Sequence, residues 1–180
     1  MPESSVDAMI LISASYQALM RARQGNRETE ICNSAIIIVF AGFYIEANLN
    51  YIIDKLGKTA DVERYFSKNA GLQSKAVWFY NEFISANKTS KISDRDYKMM
   101  QKEFHGLEEI AEFRNDIAHG KIPIEMATLE HSEELRANAK EIVEKLFKAV
   151  ENQTGIDLSR NITYKTAIGS NFPISPDSSS

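Results

Sequence analysis

The eleven residues from Ala35 to Ile45, AIIIVFAGFYI, carry no charge and stop at Glu46. A segment apolar on nearly every side must be enclosed by the rest of the chain, so it sets the centre around which everything else is arranged. The run falls well short of the ~20 residues needed to cross a bilayer, which makes it a buried element of a soluble fold. Ile36, Ile37, Ile38 and Val39 would suit a central strand, but no other segment has the alternation to pair with one. The segment is therefore read as the middle of a helix from Thr29, its cap, to Leu56, with Gly57 closing it.

The flanking sequence supplies helices to surround it. From Ser5 to Arg23 the apolar positions Val6, Met9, Ile10, Ile12, Tyr16, Leu19 and Met20 recur mostly at spacings of three and four, as one buried helix face requires. Two shorter helices fit between Thr59 and Asn87, separated by NAG and holding the aromatic stretch VWFYNEF. Ser93 suits the N-cap of DRDYKMMQKEF, and Gly106 interrupts the pattern before LEEIAEFRNDIAH continues it. Thr128 suits the cap of a last long helix to Asn152, with Leu135, Ala139, Ile142, Val143, Leu146 and Val150 on its inner face. The expected fold is all-α: an up-and-down bundle of four to five main helices plus short flanking helices, in one domain over residues 1–154. Residues 155–180, ending SNFPISPDSSS, lack periodicity and are expected to be partly disordered.

Charge and cysteine usage narrow the classes of function. With 180 residues, a formal net charge of −4 and a pI near 5.5, the chain lacks the excess of Lys and Arg needed to coat nucleic acid through bulk electrostatics, although a local basic patch remains open to it. Cys32 is the single cysteine, which excludes an internal disulfide framework and a cysteine-based zinc site; its apolar neighbours make it read as a small core residue. The N-terminus MPESSVDAMI has no basic stretch before its apolar residues, so a cytoplasmic protein with no membrane partner is expected. His105 and His131 have no partners at ligand spacing, so neither a metal nor another cofactor is expected.

The chemistry-bearing stretch is Glu112 to Lys121, EFRNDIAHGK. On a helix Leu107, Ile110, Phe113 and Ile117 form the buried stripe, and Glu108, Glu112, Asn115 and His119 form the stripe beside it. Arg114 lies nearer the apolar stripe, where its length lets its head return toward His119. A planar cation, an amide and an imidazole then meet in one region, and that set suits phosphodiester chemistry. Imidazole exchanges protons near neutral pH. A guanidinium grips phosphate through a two-pronged fork and stabilises the added charge of a pentacoordinate transition state, and an amide orients either group. The same residues also read as an ordinary helix end, with His119 on the terminal carbonyls, Gly120 as left-handed cap and Arg114 paired with a nearby glutamate.

This segment, with AGFYIEANLNYII on the earlier long helix and the all-helical pattern, resembles the HEPN superfamily (higher eukaryotes and prokaryotes nucleotide-binding). Members are helical bundles marked by an arginine, often a polar residue directly after it, and, after four to six intervening residues, a histidine. Arg114, Asn115 and His119 match those positions, and Gly120 matches the usual ending. The resemblance implies a metal-independent endoribonuclease that leaves 2′,3′-cyclic phosphate and 5′-hydroxyl ends, as a toxin or antiphage defence component. It implies His119 as general base or acid, Arg114 on the scissile phosphate, and an acidic residue of the second helix in support, for which Glu46 is the candidate. It further implies RNA and a second copy of the chain as partners, with a cognate antitoxin protein where the chain is a toxin. Some members are instead non-catalytic scaffolds that bind nucleotides or protein partners.

Lys88, Lys91, Arg95, Lys98 and Lys102 recur at spacings of three and four upstream of the motif, and Arg95, Lys98 and Lys102 share one helix face. They form either an RNA-contacting rim or a solvated side interrupted by Asp94 and Asp96.

Overall fold

The computed structural model describes residues 4–66, 70–86, 88, 91–121 and 127–158, and among them the chain is helical with no strand. Helices α1 (Ser4–Gln24) and α2 (Arg27–Lys55) are followed by the short α3 (Thr59–Tyr65) and by α4 (Leu72–Phe79), which runs directly into a π-helical turn at Tyr80–Ile84. Then come α5 (Asp94–Glu103), α6 (Leu107–Ala118) and α7 (Leu129–Thr154).

The centre is α2, as its apolar run requires. Ile37, Ile38, Ala41, Ile45, Leu49 and Ile52 are each 0% exposed, and α1, α4, α6 and α7 all pack against this one helix. At 29 residues α2 is long and apolar enough, by length and composition, to cross a membrane; 61% of its most apolar window is buried by its neighbours, as in the core helix of a bundle. Its N-cap is Asn26, not Thr29. Asn26 Oδ1 accepts from Thr29 N at 3.0 Å and from Thr29 Oγ1 at 2.9 Å. Asparagine is the stronger capping residue and stands three positions before an amide it can reach, so the helix begins a turn earlier and Thr29 lies inside it.

Two readings of side-chain position are corrected. On α1 the buried residues are Leu19 and the small Ser15, Ala18 and Ala22, and the small ones let α1 and α2 approach closely. Tyr16 is on the outer side, with the Arg136 guanidinium 5.6 Å from its ring centroid. The side chains of Val6, Met9, Ile10 and Ile12 lie outside the described residues. On α2, Cys32 is exposed rather than core, and Ile36 is exposed with it, because both fall on the helix face left uncovered by the neighbouring helices.

The second half of the chain forms where its punctuation predicts. Ser93 N and Oγ both donate to Asp96 Oδ2, at 2.8 and 2.7 Å, fixing the start of α5. Gly106, with φ +80°, makes the break between α5 and α6 that a side-chain-bearing residue would resist. Thr128 Oγ1 accepts from His131 N at 3.3 Å, and all six residues read as the inner face of α7 are buried. Beyond Gly155, which ends α7, Leu158 returns to the core at 5% exposure, so the folded unit extends past residue 154. The rest of the expected tail, residues 159–180, lies outside the described residues.

Candidate functional site

Arg114 is placed by the close crossing of α6 over α2. At Gly42 a Cβ would stand 3.1 Å from Ile110 Cγ2 and 3.5 Å from Arg114 Cδ, so glycine there lets α6 and the stem of Arg114 lie against α2. One position further on, Phe43 presents its ring to the guanidinium, 4.4 Å from Arg114 Cζ to the centroid, a cation–π contact. One turn beyond Phe43, Glu46 Oε2 accepts a hydrogen bond from Arg114 Nη1. The other oxygen, Oε1, accepts from Lys75 Nζ of α4 at 2.8 Å.

Three helices therefore contribute to one charged cluster, with side-chain exposures of 27% for Arg114 and 17% for both Glu46 and Lys75. Burial alone would raise the Glu46 pKa, but hydrogen bonds from Lys75 and Arg114 and the two positive charges outweigh it, leaving the carboxyl below its ordinary value. Glu46 is thus ionised at neutral pH. It holds the Arg114 head in one orientation, and among the described residues the hydrogen bond it receives comes from Nη1, one edge of the fork.

A cavity of about 150 Å³ opens beside this cluster. Glu46 forms one wall, Ala111, Arg114 and Asn115 of α6 form the second, and the first turn of α4, Gly71 to Ser74, forms the third. Asn115 is exposed where α6 borders this space.

His119 is placed differently. It is the C-cap of α6 and is exposed. Gly120 follows at φ +74°, its N–H donating to Ile117 O at 2.9 Å, while Lys121 N donates to Asp116 O at 2.8 Å. This pair of bonds is the Schellman helix end, which accounts for Gly120 without any catalytic role. Five residues at about 100° each carry His119 roughly 140° round the helix axis from Arg114. The chain brings Arg114, Asn115 and Glu46 together at the cavity, and it leaves His119 outside the cavity walls.

On α5, Arg95, Lys98 and Lys102 are all exposed on the outer face. Asp96 does not interrupt them as expected, because the residue is buried and its carboxylate is turned back onto Ser93; Asp94 remains exposed beside them. Among the described residues no group of three His, Cys, Asp or Glu side chains is placed to hold a metal ion. His131 Nε2 stands 2.9 Å from Glu109 Oε1, and His105 Nδ1 lies 3.3 Å from Asn138 Nδ2.

Sequence reasoning missed Phe43 and Lys75. Phe43 was legible in principle, since it stands three residues before Glu46 on the same face of α2. Lys75 was not, because its partner is 29 residues away and only tertiary contact joins them. The chain matches no protein-family model, no curated protein and no solved structure, so the case for an activity rests on this chemistry.

Proposed function

We propose that the protein is a HEPN-like bundle acting as a metal-independent endoribonuclease, with Arg114 on the scissile phosphate and His119 as proton-transfer group. The observation that carries the reading is the Arg114 head: a cation braced by Phe43 and Glu46 at the wall of an open cavity, with a hydrogen bond from Nη1 alone among the described residues. In the reaction a base takes the proton of the RNA 2′-hydroxyl and the 2′-oxygen attacks phosphorus. The bond to the 5′-oxygen then breaks, and an acid returns a proton to that leaving oxygen. Arg114 stabilises the negative charge that builds on the phosphoryl oxygens between these events, and Asn115 orients the same group.

His119 lies outside the cavity of its own chain, so this reading brings it to the phosphate from a second copy. A two-fold axis near the end of α6 would supply both a base and an acid from one sequence. In support, Cys32 and Ile36, 42% exposed, lie on the same stripe of α2 as Phe43 and Glu46, an uncovered apolar surface next to the site. Arg95, Lys98 and Lys102 then serve as the rim that meets the RNA backbone, and the chain works in the cytoplasm, opposed by an antitoxin if it is a toxin.

The test is incubation of the purified protein with single-stranded RNA in EDTA, followed by analysis of the ends. Cyclic phosphates and 5′-hydroxyls are expected; strict dependence on an added divalent ion would remove the mechanism. A second reading, a non-catalytic HEPN-like scaffold, is favoured by the ion pair that already occupies Arg114 Nη1 and by the distance of His119 round the helix. That reading predicts no cleavage under any of these conditions.

A further inference from the structure

The cavity beside Arg114 is lined by more than the phosphate chemistry uses. Gln73 and Ser74, on α4, are half-buried in its lining, and among the described residues neither side chain takes part in a hydrogen bond. Leu72 and Ala111, 4% and 5% exposed, add apolar walls. The charged groups of the lining, Glu46 and Arg114, are paired with each other, so neither sign stands alone there. A space with apolar walls, a paired carboxylate and guanidinium, an amide and a hydroxyl suits an uncharged ligand that carries donors and acceptors on an otherwise apolar body.

We propose that this cavity is a nucleobase pocket, which takes one base of single-stranded RNA, and that Gln73 sets which base is preferred, with Ser74 as a second contact. Its volume of about 150 Å³ is roughly five times the ~30 Å³ share of a liquid water, room for one base. It is well below the ~300 Å³ at which pockets begin to enclose drug-sized ligands, so ribose and phosphate stay at the mouth. Arg114 is both a wall of the cavity and 27% exposed, so it can meet a backbone that stays outside. The carboxamide of Gln73 holds N–H donors and a carbonyl acceptor in one plane, the pair that tells one base edge from another. A base with the wrong edge leaves these groups unpaired in a half-buried site, and that penalty is what selects. This deepens the ribonuclease reading by naming what chooses the RNA, and it rests on that reading for RNA as the source of the base.

Gln73→Met offers a test that preserves the fold, since it keeps an unbranched side chain that helices accept and removes both hydrogen-bonding groups. Binding is measured by fluorescence anisotropy with labelled RNA hexamers of A, of C and of U whose 2′-hydroxyls are methylated, so that no cleavage intervenes. In the wild type the preferred hexamer should bind at least about tenfold more tightly than the least preferred. It should also shift the side-chain amide signal of Gln73 in a nitrogen-edited spectrum. In folded Gln73→Met the ratio between hexamers should fall toward one. Gln73→Glu keeps the shape and exchanges the donor for an acceptor, so it should change which hexamer is preferred; taking a ratio cancels any uniform repulsion of RNA by the added charge. Equal binding of the three hexamers by the wild type, no shift at Gln73, or the wild-type ratio and ranking in the folded variants would overturn the proposal.

The unmodified hexamers are then incubated with the protein in EDTA. Base-dependent binding at Gln73 without cleavage leaves the pocket standing as a nucleotide site and counts against the ribonuclease reading alone. Cleavage at one rate for all three hexamers, with no response at Gln73, has the opposite meaning: the ribonuclease stands and this pocket does not.

Discussion

Replacing Glu46 by glutamine keeps the shape of the side chain and removes its charge, leaving Lys75 and Arg114 facing each other across a neutral amide. Exposed ion pairs contribute about 0–1 kcal/mol, whereas removing one partner of a buried pair costs about 3–5 kcal/mol. With side-chain exposures of 17%, 17% and 27% the cluster lies between these limits. Two charge-assisted hydrogen bonds are lost but solvent still screens the orphaned cations, so about 2 kcal/mol is expected. For a chain of this size that lowers Tm by about 4–8 °C. The loss should also depend on pH in one direction. Glu46 has a folded-state pKa below its ordinary value of 4.5, so its contribution is complete above that value and fades as pH falls through the lower, folded one. Urea denaturation of wild type and Glu46→Gln should therefore show the full difference near neutrality and a smaller one at about pH 3. A difference below about 0.5 kcal/mol near neutrality, in the range of an ordinary surface change, would refute the role given to Glu46. An equal difference at both pH values would refute its electrostatic origin.

Other changes test how the site is built. Gly42→Val should push α6 off α2 at Ile110 and Arg114, costing about 1–3 kcal/mol in urea melts and loosening the Arg114 head; full stability would show that the crossing is not close. Gly106→Ala forces an L residue into φ +80°, so a loss of about 1–2 kcal/mol is expected by thermal melting, and an unchanged melt would show that the break does not need glycine. Asn26→Ala removes the cap of α2 and should cost about 1 kcal/mol, with Thr29→Ala costing less; the reverse order would restore Thr29 as the cap. Lys98→Gln with Lys102→Gln should weaken RNA binding and flatten its salt dependence without altering the melt, and an unchanged salt slope would make the outer face of α5 a solvated surface only.

What could be read from the sequence, and what could not, follows from the range of the interactions involved. The apolar run of α2, the inner face of α7, the Ser93 start and the Gly106 break are local patterns, set by periodicity and by one or two capping residues, and each appears in the structure. Tyr16 and Cys32 were misplaced because apolar character alone does not say which side of a helix its neighbours will cover. At the site, Arg114 and Asn115 were visible through the motif and Glu46 through the resemblance. The pairing with Lys75, the ring of Phe43 beneath the guanidinium and the contribution of the first turn of α4 arise only when α2, α4 and α6 meet. The expected convergence of His119 on Arg114 is not met at the cavity, whose walls include Arg114 and not His119, because residues five apart on a helix point away from one another.

The central claim is that Arg114 and His119 cleave RNA, and the most direct measurement is the rate of RNA cleavage in EDTA by wild type, His119→Ala and Arg114→Lys, each checked for helix content and melting. Arg114→Lys keeps a cation beside Glu46 but removes the fork, so it separates phosphate recognition from charge. The account predicts cleavage by the wild type, a fall of about 10²- to 10⁴-fold in His119→Ala with the fold intact, and a clear loss in Arg114→Lys. A wild-type rate in folded His119→Ala, or no cleavage by the wild type, would contradict it.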